Sequence, residues 1–241
     1  MAITAEQVRN LREQTGAGMM DCKRALEATG GDQEKAIAHL RQQGLAAAAR
    51  REGRVTKEGV VAAYIHAGGK IGVLVEVNCE TDFAARTDGF QELAKSLAMQ
   101  VAATSPRWLS REEVPEEVLE QEREIYRAQA VKDLLDKGAD RRLNQLLKKS
   151  KINRADLSAD ELKQKWESCR AQAIEDGEPK EEIRDKIVEG RLKKFFEEFC
   201  LLEQSFIRDP DVKVTQLVAE TGGKVGENVV VRRFVRFQMG Q

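Results

Sequence analysis

Two apolar runs joined by a glycine pair constrain this chain more than any other stretch. GVVAAYIHA (residues 59–67) is followed by Gly68-Gly69 and then KIGVLVEVNC (residues 70–79), the pattern of a β-hairpin closed by a glycine turn. Ile71, Val73, Val75 and Val77 alternate onto one face, which must be covered if the hairpin is to persist. A lone hairpin is marginal in water, and a third strand makes the sheet more secure. NVVVRRFVRFQM (residues 228–239) reads as that strand. Phe90, Leu93, Ala94, Leu97 and Val101 follow helical spacing and supply the cover, with Asp88 and Gln91 as a capping box and Pro106 as the stop.

The rest of the chain reads as helix. Its first ~50 residues suggest three short helices. Thr4 and Gln7 form a capping box, TGAG (residues 15–18) breaks the first helix, Gly30-Gly31 stops the second, and Asp32 caps the third. ARREGRVTKEG (residues 49–59) reads as a tether from this module to the sheet. From Ser110 to Cys200 the pattern is helical and highly charged, starting at Ser110-x-x-Glu113 and turning at DGEP (residues 176–179). Two charged helices around a tight turn imply a projecting antiparallel hairpin. RAQA occurs at residues 127–130 and again at 170–173, which marks a helical insertion into the ascending arm, with Ser158 and Glu161 as a further capping box. The fold class is therefore α+β: a three-helix module, a three-stranded antiparallel sheet with covering helices, and a protruding helical hairpin.

Length and composition narrow the function. The 241 residues are 34% charged, with a net charge of −1, which suits mixed-sign helix faces and does not mark the whole chain as a polyanion binder. Cys22, Cys79, Cys169 and Cys200 form no C-x-x-C pair and read as reduced thiols. The N-terminus has no apolar signal segment, and no apolar run approaches the ~20 residues of a membrane span. A cytoplasmic protein is expected. Neither GGKIG (residues 68–72) nor GGKVG (residues 222–226) has the spacing of a phosphate-binding loop, so both read as turns. No nucleophile–base set, metal-ligand spacing or cofactor motif is present, and no catalytic residue, metal or cofactor is assigned.

Two basic stretches remain. RRFVRF (residues 232–237) interleaves arginine with aromatics, and strand alternation accounts for it, one face packing and the other solvated. Arg141, Arg142, Lys148, Lys149, Lys151 and Arg154 cluster in the insertion. A solvated helix face is the plainer reading there, and RNA contact is the sharper one. NCETDFAAR (residues 78–86) also reads in two ways. Either Thr81 or Asp82 caps a helical turn with Phe83 folded back as a staple, or Phe83 is an exposed contact residue. Residue chemistry alone leaves these two level.

A resemblance bears on that choice. LREQTGAGMMDCKRAL (residues 11–26), EVNCETDFAAR (residues 76–86) and DKIVEGRLKKFFEEFCLLEQSFIRDP (residues 185–210) closely resemble, in order, three signatures of the bacterial elongation factor Ts family. The family is a guanine-nucleotide exchange factor for elongation factor Tu. The resemblance implies a ubiquitin-associated-like domain at 1–53, a core domain at 54–109 and 204–241, and a coiled-coil hairpin at 110–203 with an extra insertion at about 131–168. It implies an exchange wedge formed by Thr81, Asp82, Phe83 and Ala84, with Ala84 where the family usually has valine. It also implies a docking surface that includes Arg12, Met19 and Met20. Only one set of strands is evident, as in short-form members, some of which are homodimers. The competing reading is an RNA- or ribosome-associated helical protein that uses the basic insertion.

Overall fold

The computed structural model describes residues 3–15, 17–177 and 179–240. Gly16 of the TGAG break and Glu178 of the DGEP turn lie outside them. The chain divides into two compact units, one formed by residues up to Glu113 together with those from Glu197 onward, the other by Val114–Phe196.

The first unit opens with α1 (Ala5–Thr15), α2 (Met19–Ala28) and α3 (Gln33–Arg51). Thr4 and Gln7 form the expected reciprocal cap, each backbone N–H donating to the other's side chain at 2.9 and 3.2 Å. Asp32 accepts from the Lys35 backbone at 3.0 Å. Leu11, Cys22, Ala25, Leu26 and Ala36 close a small core between the three helices. The expected tether is shorter than the sequence suggests. The alanine-rich run keeps α3 helical to Arg51 and β1 begins at Glu58, because alanine has the highest helix propensity and arginines suit a helix C-terminus.

β1 (Glu58–Ile65), β2 (Ile71–Cys79) and the later β5 (Val230–Gln238) form an antiparallel sheet in the order β1-β2-β5. Gly68 and Gly69, both at positive φ, make the β1–β2 turn, a conformation only glycine adopts freely. Val73, Val75 and Val77 point into the core against α5 (Asp88–Thr104). The expected Asp88 cap is instead made by Thr87, whose hydroxyl accepts from the Phe90 N–H, while Gln91 donates to the Ala85 carbonyl at 2.7 Å. Between β2 and α5 lies the single turn α4 (Asp82–Ala85).

After α5 the chain leaves for the second unit, described below. It returns through a two-stranded ribbon, β3 (Ser205–Phe206) and β4 (Asp209–Lys213), that sequence pattern did not reveal. Buried Gln100 fixes the ribbon to α5: its amide donates to Gln204 and to the Ser205 carbonyl, and its carbonyl accepts from Ile207 N–H at 2.8 Å. GGKVG then proves not to be a turn, since Gly222 and Gly223 lie within α9 (Val214–Val225). A Cβ on Gly223 would sit 3.7 Å from the Gly44 Cα of α3. The glycines let α3 and α9 approach closely, and the pair Arg41–Glu220 spans them. The N-terminal module is thus packed on the core rather than held only by a tether.

The opposite face of the sheet is apolar and uncovered. The rows Ala63–Leu74–Val235 and Ile65–Gly72–Phe237 run across all three strands, and Ile65 and Phe237 are each about two-thirds exposed. Strand alternation in RRFVRF therefore holds, with Phe234 packed against the core, but its other face carries Val235 and Phe237 as well as Arg233, which pairs with Glu76 at 2.7 Å.

The second unit contains α6 (Glu116–Lys149), α7 (Ala159–Glu175) and most of α8 (Glu181–Phe199). The helix expected from Ser110 starts later: residues 111–113 form a 3₁₀ turn and α6 begins after Pro115, a residue whose fixed φ suits a helix entrance. Nor is there a break near residue 131, where an insertion is expected. α6 runs unbroken through Val131 to Lys149, because no proline interrupts it, Gly138 is its only glycine, and most of its residues are strong helix formers. The Ser158–Glu161 capping box starts α7. Ala139, Leu143 and Leu147 of α6 pack with Cys169, Leu157, Leu162 and Trp166. Arg191 of α8 reaches Gln129 and Asp133 of α6 at 2.8 and 2.6 Å. Ala130 and Ala173, the last residues of the two RAQA repeats, are both buried.

Candidate functional site

The turn after β2 is built to hold one shape. Thr81 is the N-cap of α4, its hydroxyl accepting from the Ala84 N–H at 3.3 Å. Ala84 and Ala85 are buried in the sheet–helix core. Phe83 is 78% exposed, so the ring is not folded back as a staple. Asp82 is half-buried and pairs with Arg86 at 2.9 Å. The capping half of the local reading holds at Thr81, and the stapling half does not.

A second clamp comes from far along the chain. Glu227 accepts from the backbone N–H groups of Glu80 and Thr81, both at 3.0 Å, and from the Thr81 hydroxyl at 2.5 Å. Glu80 answers by accepting from the Asn228 N–H at 2.7 Å and from Arg54 at 3.5 Å. The side-chain amide of Asn228 donates to the Arg54 carbonyl. Each carboxylate therefore caps the backbone of the other's segment, across 146–148 residues of sequence. Beneath them the Cys79 thiol donates to the Thr81 carbonyl, and burial, followed by the Glu227 charge, pushes its pKa up. Sequence reading missed Glu227 and Glu80, since nothing local distinguishes them from solvated glutamates.

Ala84, expected beside the ring as part of a contact surface, faces the core instead, because a one-turn helix with two alanines inward has no room to present either. Arg12, Met19 and Met20 are exposed on α1 and α2. They lie on the outside of the three-helix module, apart from its core, and no hydrogen bond or ion pair among the described residues joins them to 81–84. Phe83 stands exposed on the one-turn α4. Two open concavities lie elsewhere, one lined by Lys132, Asp136, Trp166 and Arg170 and the other by Thr104, Glu198 and Gln204. The four cysteines are unpaired and buried. This arrangement presents an apolar side chain on a rigid mount and assembles no reactive group.

The family model described as Elongation factor TS matches residues 46–150 and 145–241. The chain is 50% identical over 239 residues to a protein named Elongation factor Ts from Carboxydothermus hydrogenoformans, covering 99% of this chain and 90% of that one. It is 48% identical over 241 residues to the protein of that name from Geobacter sulfurreducens, covering all of this chain and 91% of the relative. With the relative from Thermodesulfovibrio yellowstonii it shares 46% over 241 residues, all of this chain and 98% of that one. The chain belongs to the elongation factor Ts family. Elongation factor Ts is a nucleotide-exchange factor of translation rather than a catalyst of covalent chemistry. Among the described residues no helix is long and apolar enough to cross a membrane.

Proposed function

We propose that the chain accelerates GDP release from elongation factor Tu by inserting Phe83 into it as a wedge. Asp82 assists, Thr81 holds the turn, and Arg12, Met19 and Met20 dock the N-terminal module on the partner's GTPase domain. The observation that carries this reading is the 78% exposure of a phenylalanine on a turn fixed from both sides. A factor that binds the nucleotide-free partner more tightly must weaken nucleotide binding by the same factor. Each tenfold loss of nucleotide affinity requires about 1.4 kcal/mol of differential binding. Burying one phenylalanine supplies ~1.5–3 kcal/mol before ordering costs, and a pre-ordered turn keeps those costs low. Asp82 would bring a carboxylate towards the phosphate and metal site. In the same proposal the three-helix module is ubiquitin-associated-like, α6 and α8 form a coiled-coil arm, and the protein works in the cytoplasm.

Stopped-flow release of labelled GDP from elongation factor Tu tests the wedge. Phe83→Ala is expected to remove most of the stimulation while leaving the fold intact, and undiminished stimulation would refute it. An adaptor that bridges proteins without affecting exchange would bind in a pull-down yet leave the release rate unchanged.

The uncovered sheet face supports a homodimer as part of this reading. Val61, Ile65, Leu74, Val235, Phe237 and Met239 are all at least 41% exposed there. The charges on the paired rows, Glu76 and Arg233, already neutralise one another. An apolar, internally neutral face can meet its own copy without like-charge repulsion. Phe237→Asp is expected to shift the mass in sedimentation equilibrium to that of a monomer, and a wild-type protein monomeric at high concentration would exclude the assembly.

A further inference from the structure

We infer that the outer face of the α6–α7 extension is a binding surface for the phosphodiester backbone of structured RNA, separate from the exchange site. The stretch RRLNQLLKKSKINR (residues 141–154) has six basic side chains and no acidic one. The structure shows where the acids of the second half of α6 went. Asp133 is held by Arg191, Asp136 by Arg170, and Asp140 by the indole N–H of Trp166. Thus the carboxylates of this half of α6 are all engaged by α7 or α8. The basic side chains lie the other way. With Leu143 and Leu147 buried against α7, helical geometry puts Lys137, Arg141 and Lys148 on the opposite side of α6, flanked by Arg142 and Lys149. Lys137, Arg141, Lys148, Lys149, Lys151 and Arg154 are exposed, and among the described residues none of these six forms an ion pair. Arg142 is the exception, bound to Asp176.

A separate observation comes from the backbone. Ile152 N–H bonds to the Leu147 carbonyl at 3.0 Å, closing α6 with a left-handed residue at Lys151, φ 54°. Helices ordinarily use glycine there, because other residues are strained in that conformation. Here a cation occupies the position, at the tip of the basic face. The face from Lys137 to Lys148 is about 16 Å long, enough to follow a phosphate backbone, and it has no exposed aromatic to stack on bases. Leu146 and Ile152 lie only at its margin, so it lacks the apolar centre of a protein interface. A shape- and charge-reading contact with duplex RNA fits these features, and sequence preference is not expected.

The test is fluorescence anisotropy of the full chain with a labelled RNA duplex of about 16 base pairs. Roughly five phosphate contacts give a slope of log Kd against log salt near 4.5, or about 500-fold weaker binding from 50 to 200 mM KCl. Arg141→Gln with Lys148→Gln should lower that slope by about 1.8 and leave stimulated GDP release unchanged. Lys151→Gly should raise the melting temperature by relieving the left-handed lysine and still weaken RNA binding, a combination that general unfolding cannot produce. A slope below about 1, or RNA binding unaltered in the double variant, would overturn the inference. So would polyglutamate competing as well as the duplex, which would assign the face to an acidic protein instead.

Discussion

Removing the Glu227 carboxylate should unfasten the Phe83 turn without touching the ring. Glu227 accepts three hydrogen bonds from Glu80 and Thr81. Hydrogen bonds to a charged acceptor contribute ~1.5–3 kcal/mol each when buried. These groups are partly exposed, so water would replace much of the loss when the carboxylate goes. A net cost of about 2 kcal/mol for the set is reasonable on that basis. That is roughly a 30-fold change in the ratio of ordered to disordered turn. In Glu227→Ala, amide hydrogen exchange at Glu80 and Thr81 should therefore speed up about 30-fold, while amides in β1 stay protected. Glu227→Gln should fall between, since an amide retains one acceptor oxygen. The rate of GDP release follows the fraction of chains with an ordered turn, so it falls by at most the same factor and by less if the turn is strongly ordered at the start. The double variant Glu227→Ala/Phe83→Ala separates placement from general damage. If Glu227 acts through the ring, its removal changes nothing further once Phe83 is gone. Unchanged amide protection in Glu227→Ala would refute the clamp, and additive losses in the double variant would refute its connection to the wedge.

Other outcomes follow from the packing. Gln100→Ala strands the Ser205 carbonyl and the Ile207 N–H, so the urea midpoint should fall by the equivalent of ~2–4 kcal/mol with the m-value unchanged. At Gly223 the added methyl of alanine meets Gly44 at an ordinary contact distance of 3.7 Å, so Gly223→Ala should raise the melting temperature through helix propensity, about 0.5–1 kcal/mol, whereas Gly223→Leu should force α3 from α9 and lower it. Burial, followed by the Glu203 charge, pushes the Cys200 thiol from 9.0 up to about 11. An acid kept protonated by folding favours the fold below pH 9 and withdraws that support as pH rises towards 11, about 1.4 kcal/mol per unit. Urea midpoints measured across that range should decline, and Cys200→Ala should flatten the decline.

Elements whose pattern reports their own packing were legible in the sequence. The period-two run through Val73, Val75 and Val77 and the helical run through Phe90, Leu97 and Val101 each face the same core, so local periodicity and tertiary burial coincide. Where a distant contact decides, local rules failed. Gly222 and Gly223 carry the composition of a turn, yet close packing of α9 on Gly44 and next to Val229 makes their lack of side chains an advantage inside a helix. The ribbon strand DPDVK contains a proline and two aspartates, which weakens any strand signal. The RAQA repeat marks a boundary near residue 131, yet α6 shows none there, because the helix and its buried side continue from Ala130 through Ala139, Leu143 and Leu147. The left-handed Lys151 had no sequence signal, since a lysine is the wrong residue for the conformation it adopts.

The Phe83 turn shows why two local readings stayed level until the fold was known. A threonine before Asp-Phe-Ala-Ala specifies a cap, and a cap alone does not say which way the next ring points. The direction is set by the two alanines. With Ala84 and Ala85 turned into the core, the 100° step of an α-helix puts the Phe83 side chain about 150° away from their mean direction. Outward is then the only direction left. A staple would have needed the turn rolled by about half a revolution, exposing both alanines and dragging Thr81 off Glu227. The same reasoning gives Ala84 its part: it sets the angle of the mount from beneath. A larger residue there, such as valine, would press on the core and tilt the ring before it touched any partner. Its effect should therefore appear first in stability and in the Thr81–Glu227 bond, and only through them in exchange.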